Sequence, residues 1–247
     1  MRLLLLAALC LLGPVARADG LSDLRRALEP LRGEGPIRAR LELHLWRQIT
    51  EDRQPVASQA RTTVRLEQGP EGLRLTFLPE HLRAAVEESR RQLEDPDRQA
   101  PVRSVLRAIE PDEVTEMLDF APVLLRYLNY MELLGDEQDT FDGRPARMLR
   151  VKIAPRLPSN IQKYIKSIEF DARIWLGPDG VPLGFRNNLV YRGSRMLISF
   201  DGLFKDERTL QRVGSRLVVV RHVHEEGFST LGQRTQSRRM ATLAMLD

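Results

Sequence analysis

The apolar positions change period several times along the chain. Leu21, Leu24, Leu28 and Leu31 share the spacing of one helical face, with Ser22 or Asp23 placed to cap it and Gly33 and Gly35 to end it. Ile37, Ala39, Leu41, Leu43 and Leu45 then alternate with Arg38, Arg40, Glu42 and His44, which describes a strand wet on one side. A second alternating run covers Val56–Gln68. A short third, Leu73–Leu78, follows the turn Gly69-Pro70-Glu71-Gly72.

A helical insertion, 79–134, interrupts this meander. The stretch PEHLRAAVEESRRQLEDP opens with proline at a first-turn position, Ala100–Ile109 reads as a short second helix, and Pro111-Asp112-Glu113 starts a third with an acidic first turn. That third segment is the most apolar part of the chain after the leader. From Met117 to Leu134 its large side chains cover most of the helical circumference, so it must be covered on more than one side, with a kink expected at Pro122.

Strands resume after Gly135. Arg147–Ala154, Tyr164–Leu176, Val181–Arg192, Met196–Leu203, Ser215–His224 and Arg234–Leu246 bring the total to roughly nine. Phe170, Ala172, Ile174 and Leu176 lie on one face of a strand whose other face carries Glu169, Asp171 and Arg173. Across the turn Gly177-Pro178-Asp179-Gly180, the residues Leu183, Phe185, Leu189 and Tyr191 form the matching face, opposed by Arg186, Asn188 and Arg192. No strand alternates with a crossover helix, so the sheet is antiparallel. A broad sheet with one apolar face must curl around a filler, and the Met117–Leu134 segment is the candidate. The predicted class is therefore α+β, mainly antiparallel β: one curved-sheet domain over 19–247, an incomplete barrel with an N-terminal helix and a helical lid or plug.

The N-terminus predicts export. Arg2 is a positive n-region, Leu3–Leu12 an apolar h-region, and Ala16-Arg17-Ala18 places small residues at the two positions a signal peptidase reads. The apolar run is about half of the ~20 residues a membrane span needs, so residues 1–18 read as a cleavable signal peptide and the periplasm as the destination. The single cysteine, Cys10, lies in that leader. A mature chain without thiols in an oxidising compartment must rely on its own core. Lys and Arg number 38 against 34 Asp and Glu, and loss of Arg2 and Arg17 brings the net charge to about +2. With both signs interspersed and no basic block carrying aromatics, nucleic acid is not an expected partner.

Candidate chemistry is sparse. His222 and His224 point the same way on a strand and can share one ion, with Glu226, His44 or His81 as conceivable third ligands. Nothing in the sequence brings those together, and the preferred reading is two histidines on the wet face of an exposed strand end. Ser194, Ser199, Ser215 and Ser229 lie in no Gly-x-Ser-x-Gly elbow. Asp112, Glu113, Glu116 and Asp119 are explained by the first turns of a helix. Arg234, Arg238 and Arg239 form one small basic cluster, read as a solvated strand face.

The order of elements, a cleavable leader, one helix, three strands, a helical insertion and then long strands including IEFDARIWLGPDGVPLGFRNNLVYRG, resembles the LolA/LolB-like superfamily of periplasmic lipoprotein carriers and their relatives among sigma-factor regulators. The resemblance spans nearly the whole mature chain, is architectural, and transfers no individual residue. It implies a strongly curved, incomplete barrel whose concave side, lidded by helices, holds acyl chains.

The expected function is accordingly that of a periplasmic, non-enzymatic carrier or sensor that binds a lipid or the acyl part of a lipoprotein, without a cofactor or metal. A membrane-associated donor or receptor is the expected companion. Trough or lid residues are assigned to Leu118, Val123, Leu125, Leu128, Ile174, Phe185, Leu189, Met196 and Ile198. The alternatives are an interaction protein with a closed core that docks a protein partner, and, further behind, a metal-dependent hydrolase built on His222 and His224.

Overall fold

The structure, a computed structural model, describes residues 19–31, 33–153, 162–196 and 198–246. The expected signal peptide, 1–18, lies outside the described residues. Ten antiparallel strands form one open sheet: β1 (Ile37–Glu51), β2 (Gln54–Gly69), β3 (Gly72–Phe77), β4 (Met131–Phe141), β5 (Arg144–Ile153), β6 (Ile165–Leu176), β7 (Pro182–Arg195), β8 (Ile198–Val213), β9 (Arg216–Thr230) and β10 (Gln233–Met245). Their order is β3-β2-β1-β10-β9-β8-β7-β6-β5-β4, so the first and last strands, β1 and β10, pair in the interior of the sheet and β3 and β4 are its edges. The longest strands have 16 residues, about 50 Å of extended chain.

Tight turns make such long hairpins possible. Asp52 and Arg53 both take positive φ, 47° and 67°, between Glu51 and Gln54, which pair directly. This two-residue geometry matches the right-handed twist of the flanking strands. Asp142-Gly143 repeats it between β4 and β5.

Among the described residues five helices accompany the sheet: α1 (Gly20–Leu28), α2 (Pro79–Glu94), α3 (Pro101–Arg107), α4 (Pro111–Leu118) and α5 (Ala121–Leu128). The side chain of Asp19 caps α1 by accepting from the Leu21 N–H at 3.3 Å. Packing of α3 on β1 and β2, α4 on β9, and α1 on β4 and α5 puts helices over one face of the sheet, called here the inner face. Between them lies the main core, including Leu24, Leu28, Leu41, Val64, Leu118, Leu124, Leu149, Ile174 and Leu217, each no more than 3% exposed. Arg147 of β5 ties α1 to the β4 edge: its Nε donates to Asp136 Oδ1 at 2.7 Å and its Nη1 to Asp23 Oδ2 at 2.7 Å. Among the described residues no helix is long and apolar enough to cross a membrane.

Three differences from the sequence-based expectation have clear causes. The Met117–Leu134 segment is not one kinked helix. Asp119 leaves the helical region at φ −152°, Phe120 donates its backbone N–H to Leu217 O at 2.7 Å, and Pro122 sits in the first turn of a new helix, α5. Proline lacks the N–H a helix interior needs and suits a helix start. Met131–Leu134 then belongs to β4, so the helical insertion ends at Leu128 and the described residues hold ten strands. A bulge between Leu133 and Gly135 disguises this strand by breaking its alternation. Finally, a bulge at Leu183, which is left unpaired between Pro182 and Gly184, turns that residue to the outer face, where it packs with Phe141, Ala146, Met148 and Trp175 in a separate small cluster.

Candidate functional site

Strand register divides the inner face into two halves. Toward one end of the strands the inner positions are Ala39, Leu41 and Leu43 of β1, Val64 and Leu66 of β2, Leu243 and Ala241 of β10, Leu217 and Val219 of β9, Phe185 of β7, and Ile174 and Ala172 of β6, all buried beneath or beside the helices. Toward the other end the same faces carry Ile49, Val56, Phe228, Phe200, Phe204, Tyr191, Leu189, Phe170 and Ile168. These are half-buried or exposed, with Val56, Ile168 and Phe228 at 55%, 43% and 42%.

Aromatic rings line the open half because glycines stand beside them. A Cβ on Gly202 would fall 2.1 Å from the Tyr191 ring, and one on Gly193 would fall 2.4 Å from the Phe200 ring. Each ring therefore lies flat on a neighbouring strand. Phe200 stacks on Phe228 at 6.2 Å and meets Tyr191 edge-on at 6.4 Å. The result is a low aromatic floor rather than upright side chains.

A charged network separates the halves. In register, Asp206 of β8 pairs with His224 of β9, Arg208 with His222, and His224 with Arg239 of β10, so all five side chains share the inner face. His222 Nε2 stands 2.7 Å from Asp206 Oδ2, and its Nδ1 3.1 Å from Oε1 of Glu113, which α4 delivers from above. His224 Nδ1 is 3.6 Å from the same Asp206 Oδ2, and its Nε2 is 2.9 Å from Glu226 Oε1. Arg208 Nε donates to Asp206 Oδ1 at 2.9 Å, its guanidinium lying 4.7 Å over the Phe120 ring. Arg239 donates to Ala108 O at 3.1 Å and also to Glu113.

These contacts set the titration of the group. Burial raises the Asp206 carboxyl, but hydrogen bonds from His222 and His224 and the charge of Arg208 outweigh it and hold the carboxyl well below its usual range. Glu113 is likewise lowered, against burial, by His222 and Arg239. Burial would lower His224, yet its bonds to Asp206 and Glu226 push it up to about 9. The Asn187 Oδ1, directly across from Asp206, is buried without a hydrogen-bond partner among the described residues.

The sequence-predicted site residues divide along the same line. Leu118, Val123, Leu128, Ile174 and Phe185 are buried in the main core, and Leu125 packs against it half-buried, so this group fills the helix-covered half. Leu189 lies on the open half of the inner face, and Ile198 ends that face at 48% exposure. Met196 stands at the tip of the β7–β8 turn with φ 47° and 86% exposure.

The histidine expectation needs correction. His222 is 3% exposed and His224 half-buried, neither on a wet strand end, and Asp206 rather than His44 or His81 joins them. His81 instead pairs with Thr62 at 2.8 Å. Glu226 does reach His224. The basic cluster is split by the pleat: Arg239 turns inward to Glu113, while Arg238 turns outward to Glu225 at 3.2 Å. Glu113, read as a helix-dipole residue, is part of the network. Asp206 could have been found only from the pairing of β8 with β9, which places it beside residues 16 and 18 positions later.

Two clefts, of 660 and 540 Å³, lie elsewhere, one between α1 and the β6–β7 turn and one at the β1–β2 and β9–β10 turns. Neither touches the nine predicted lining residues. No protein-family model matches the sequence, and no curated protein matches it. Among solved structures, a DUF1329 family protein from Desulfovibrio piger is similar over 90% of this chain and 92% of that one, with 10% sequence identity and a TM-score of 0.25.

Proposed function

We propose that this is a periplasmic, non-enzymatic carrier or sensor, and that it holds a lipid, or the acyl chains of a lipoprotein, against the open half of the inner face. The observation that carries the reading is the half-buried to exposed apolar floor formed by Ile168, Leu189, Tyr191, Phe200, Phe204 and Phe228, outside the part of the inner face on which α1, α3 and α4 pack among the described residues. Contiguous apolar surface of this kind marks a binding region. Each methylene buried there contributes roughly 0.8 kcal/mol, so a long chain is retained without specific hydrogen bonds. The element order resembling LolA/LolB-like carriers agrees with this use of the face, and the leader-like N-terminus agrees with export.

The seat differs from the expected one. A trough running under the helices would need Leu118, Val123 and Leu128 to part from a packed core, whereas the open half is accessible as it stands. Native mass spectrometry of gently purified protein, with binding of a fluorescent fatty acid, tests the reading. Copurified lipid and displacement of the probe are expected, and Leu189→Asp should abolish both while the fold persists. A bare mass together with no probe binding defeats the carrier reading and favours an interaction protein whose open face meets a protein partner. Periplasmic export is checked separately by whether the mature chain begins at Asp19.

A further inference from the structure

We propose that Asp206, His222 and His224 bind one divalent transition-metal ion at the boundary between the two halves of the inner face. One ligand atom from each of the three lies within 4.8 Å of the others. The atoms that converge are Asp206 Oδ2, His222 Nε2 and His224 Nδ1, with Oδ2 at 2.7 and 3.6 Å from the two nitrogens. Ligands about 2.0 to 2.2 Å from an ion stand roughly 3 to 3.6 Å from one another, so modest shifts of the carboxylate and the two rings would seat one ion among three atoms that already lie within 4.8 Å.

The surroundings of the three ligands carry the inference further than proximity. Each imidazole turns one nitrogen toward Asp206 and has the other held by a carboxylate: His222 Nδ1 by Glu113 at 3.1 Å, His224 Nε2 by Glu226 at 2.9 Å. Metal-bound histidines are oriented in this way, with the far N–H given to a carboxylate that fixes ring and tautomer. The far oxygen of Asp206 is held by Arg208, and Glu113 by Arg239. Strands β8 and β9 thus supply the three ligands, and β8, β9, β10 and α4 supply a supporting ring of partners.

Two imidazoles and one carboxylate suit zinc and its first-row neighbours better than magnesium or calcium, which prefer all-oxygen sites. Entry is from the open half, where Glu226 is 58% exposed and His224 18%. Three protein ligands leave room in the coordination sphere for water or for a donor atom of a bound molecule. The inference does not depend on the carrier reading, since metal content and lipid content are measured separately.

The test uses the full mature chain, stripped with a chelator and dialysed against zinc, then read by metal analysis. One zinc per chain is expected, and cobalt substitution should give visible absorption bands of a low-symmetry site. Glu113→Gln should weaken zinc binding about 10- to 100-fold, the usual cost of losing an outer partner. His224→Ala should cost more than Glu113→Gln. No zinc uptake and no cobalt bands in the unaltered protein would leave only a hydrogen-bonded ion cluster and overturn the proposal. Equal zinc affinity in the His224→Ala variant, with circular dichroism showing an intact fold, would overturn it too.

Discussion

The two halves of the inner face share strands, twist and alternation, yet one is a closed core and the other an open floor. The covered half has aliphatic side chains such as Leu41, Val64, Leu149, Ile174 and Leu217, interlocked with helices α1 and α3–α5 and at most 3% exposed. The open half has rings laid over glycines, with Phe228 still 42% exposed. Apolar alternation establishes which face of a strand is inner and says nothing about whether anything packs on it. Closure depends on helices that arrive from elsewhere in the chain.

Substitutions at the boundary between the halves should destabilise the protein most. Asp206→Ala leaves buried His222 and half-buried His224 and Arg208 around a missing anion, and removal of one partner from a buried ion cluster costs about 3–5 kcal/mol. A fall of that size in urea-unfolding free energy is expected. Within the covered half, Ile174→Ala or Leu149→Ala opens a cavity in a packed core and should cost about 2–5 kcal/mol, with the fatty-acid affinity of the surviving folded protein unchanged. In the open half, Phe228→Ala should cost less than about 1 kcal/mol, because the ring is already wet, while weakening probe binding severalfold. Equal losses of stability from Ile174→Ala and Phe228→Ala would show that the two halves are packed alike.

The smallest expected effect concerns the joint between α4 and α5. Burial raises the Asp119 carboxyl, only partly offset by Arg216, and its Oδ1 has no hydrogen-bond partner among the described residues. A raised folded value means that the side chain favours folding when protonated and opposes it once pH rises through that value. At pH 7 the penalty is fully present, so Asp119→Asn should be neutral or stabilise by under about 1 kcal/mol, and the gain should vanish near pH 3. Paired thermal melts at the two pH values give the sign directly.

Much of the architecture follows from local pattern. The runs Ile37–Leu45 and Val56–Gln68, the Gly177–Gly180 turn and, apart from the bulged Leu183, the two faces of the Phe170–Gly193 hairpin are period-two or turn signals that survive folding. Prolines 79, 101 and 111 start helices where their missing N–H does no harm. Where the pattern misled, long-range contacts intervened: Leu217 claims the backbone of Phe120, and β5 claims Met131–Leu133 as a strand. Periodicity cannot separate a buried helix from a bulged edge strand when both are rich in leucine and methionine.

What the sequence determined by itself was the one-sided antiparallel sheet, because alternation of side chains is a property of each strand alone. Tertiary structure decided how much of the apolar face is covered and which charges meet on it. Asp206, His222 and Glu113 are far apart along the chain, and only the β8–β9 register and the seating of α4 on β9 bring them within hydrogen-bonding distance. Register between strands and the docking of helices are set by the packing of the whole chain, and no local run of residues encodes them.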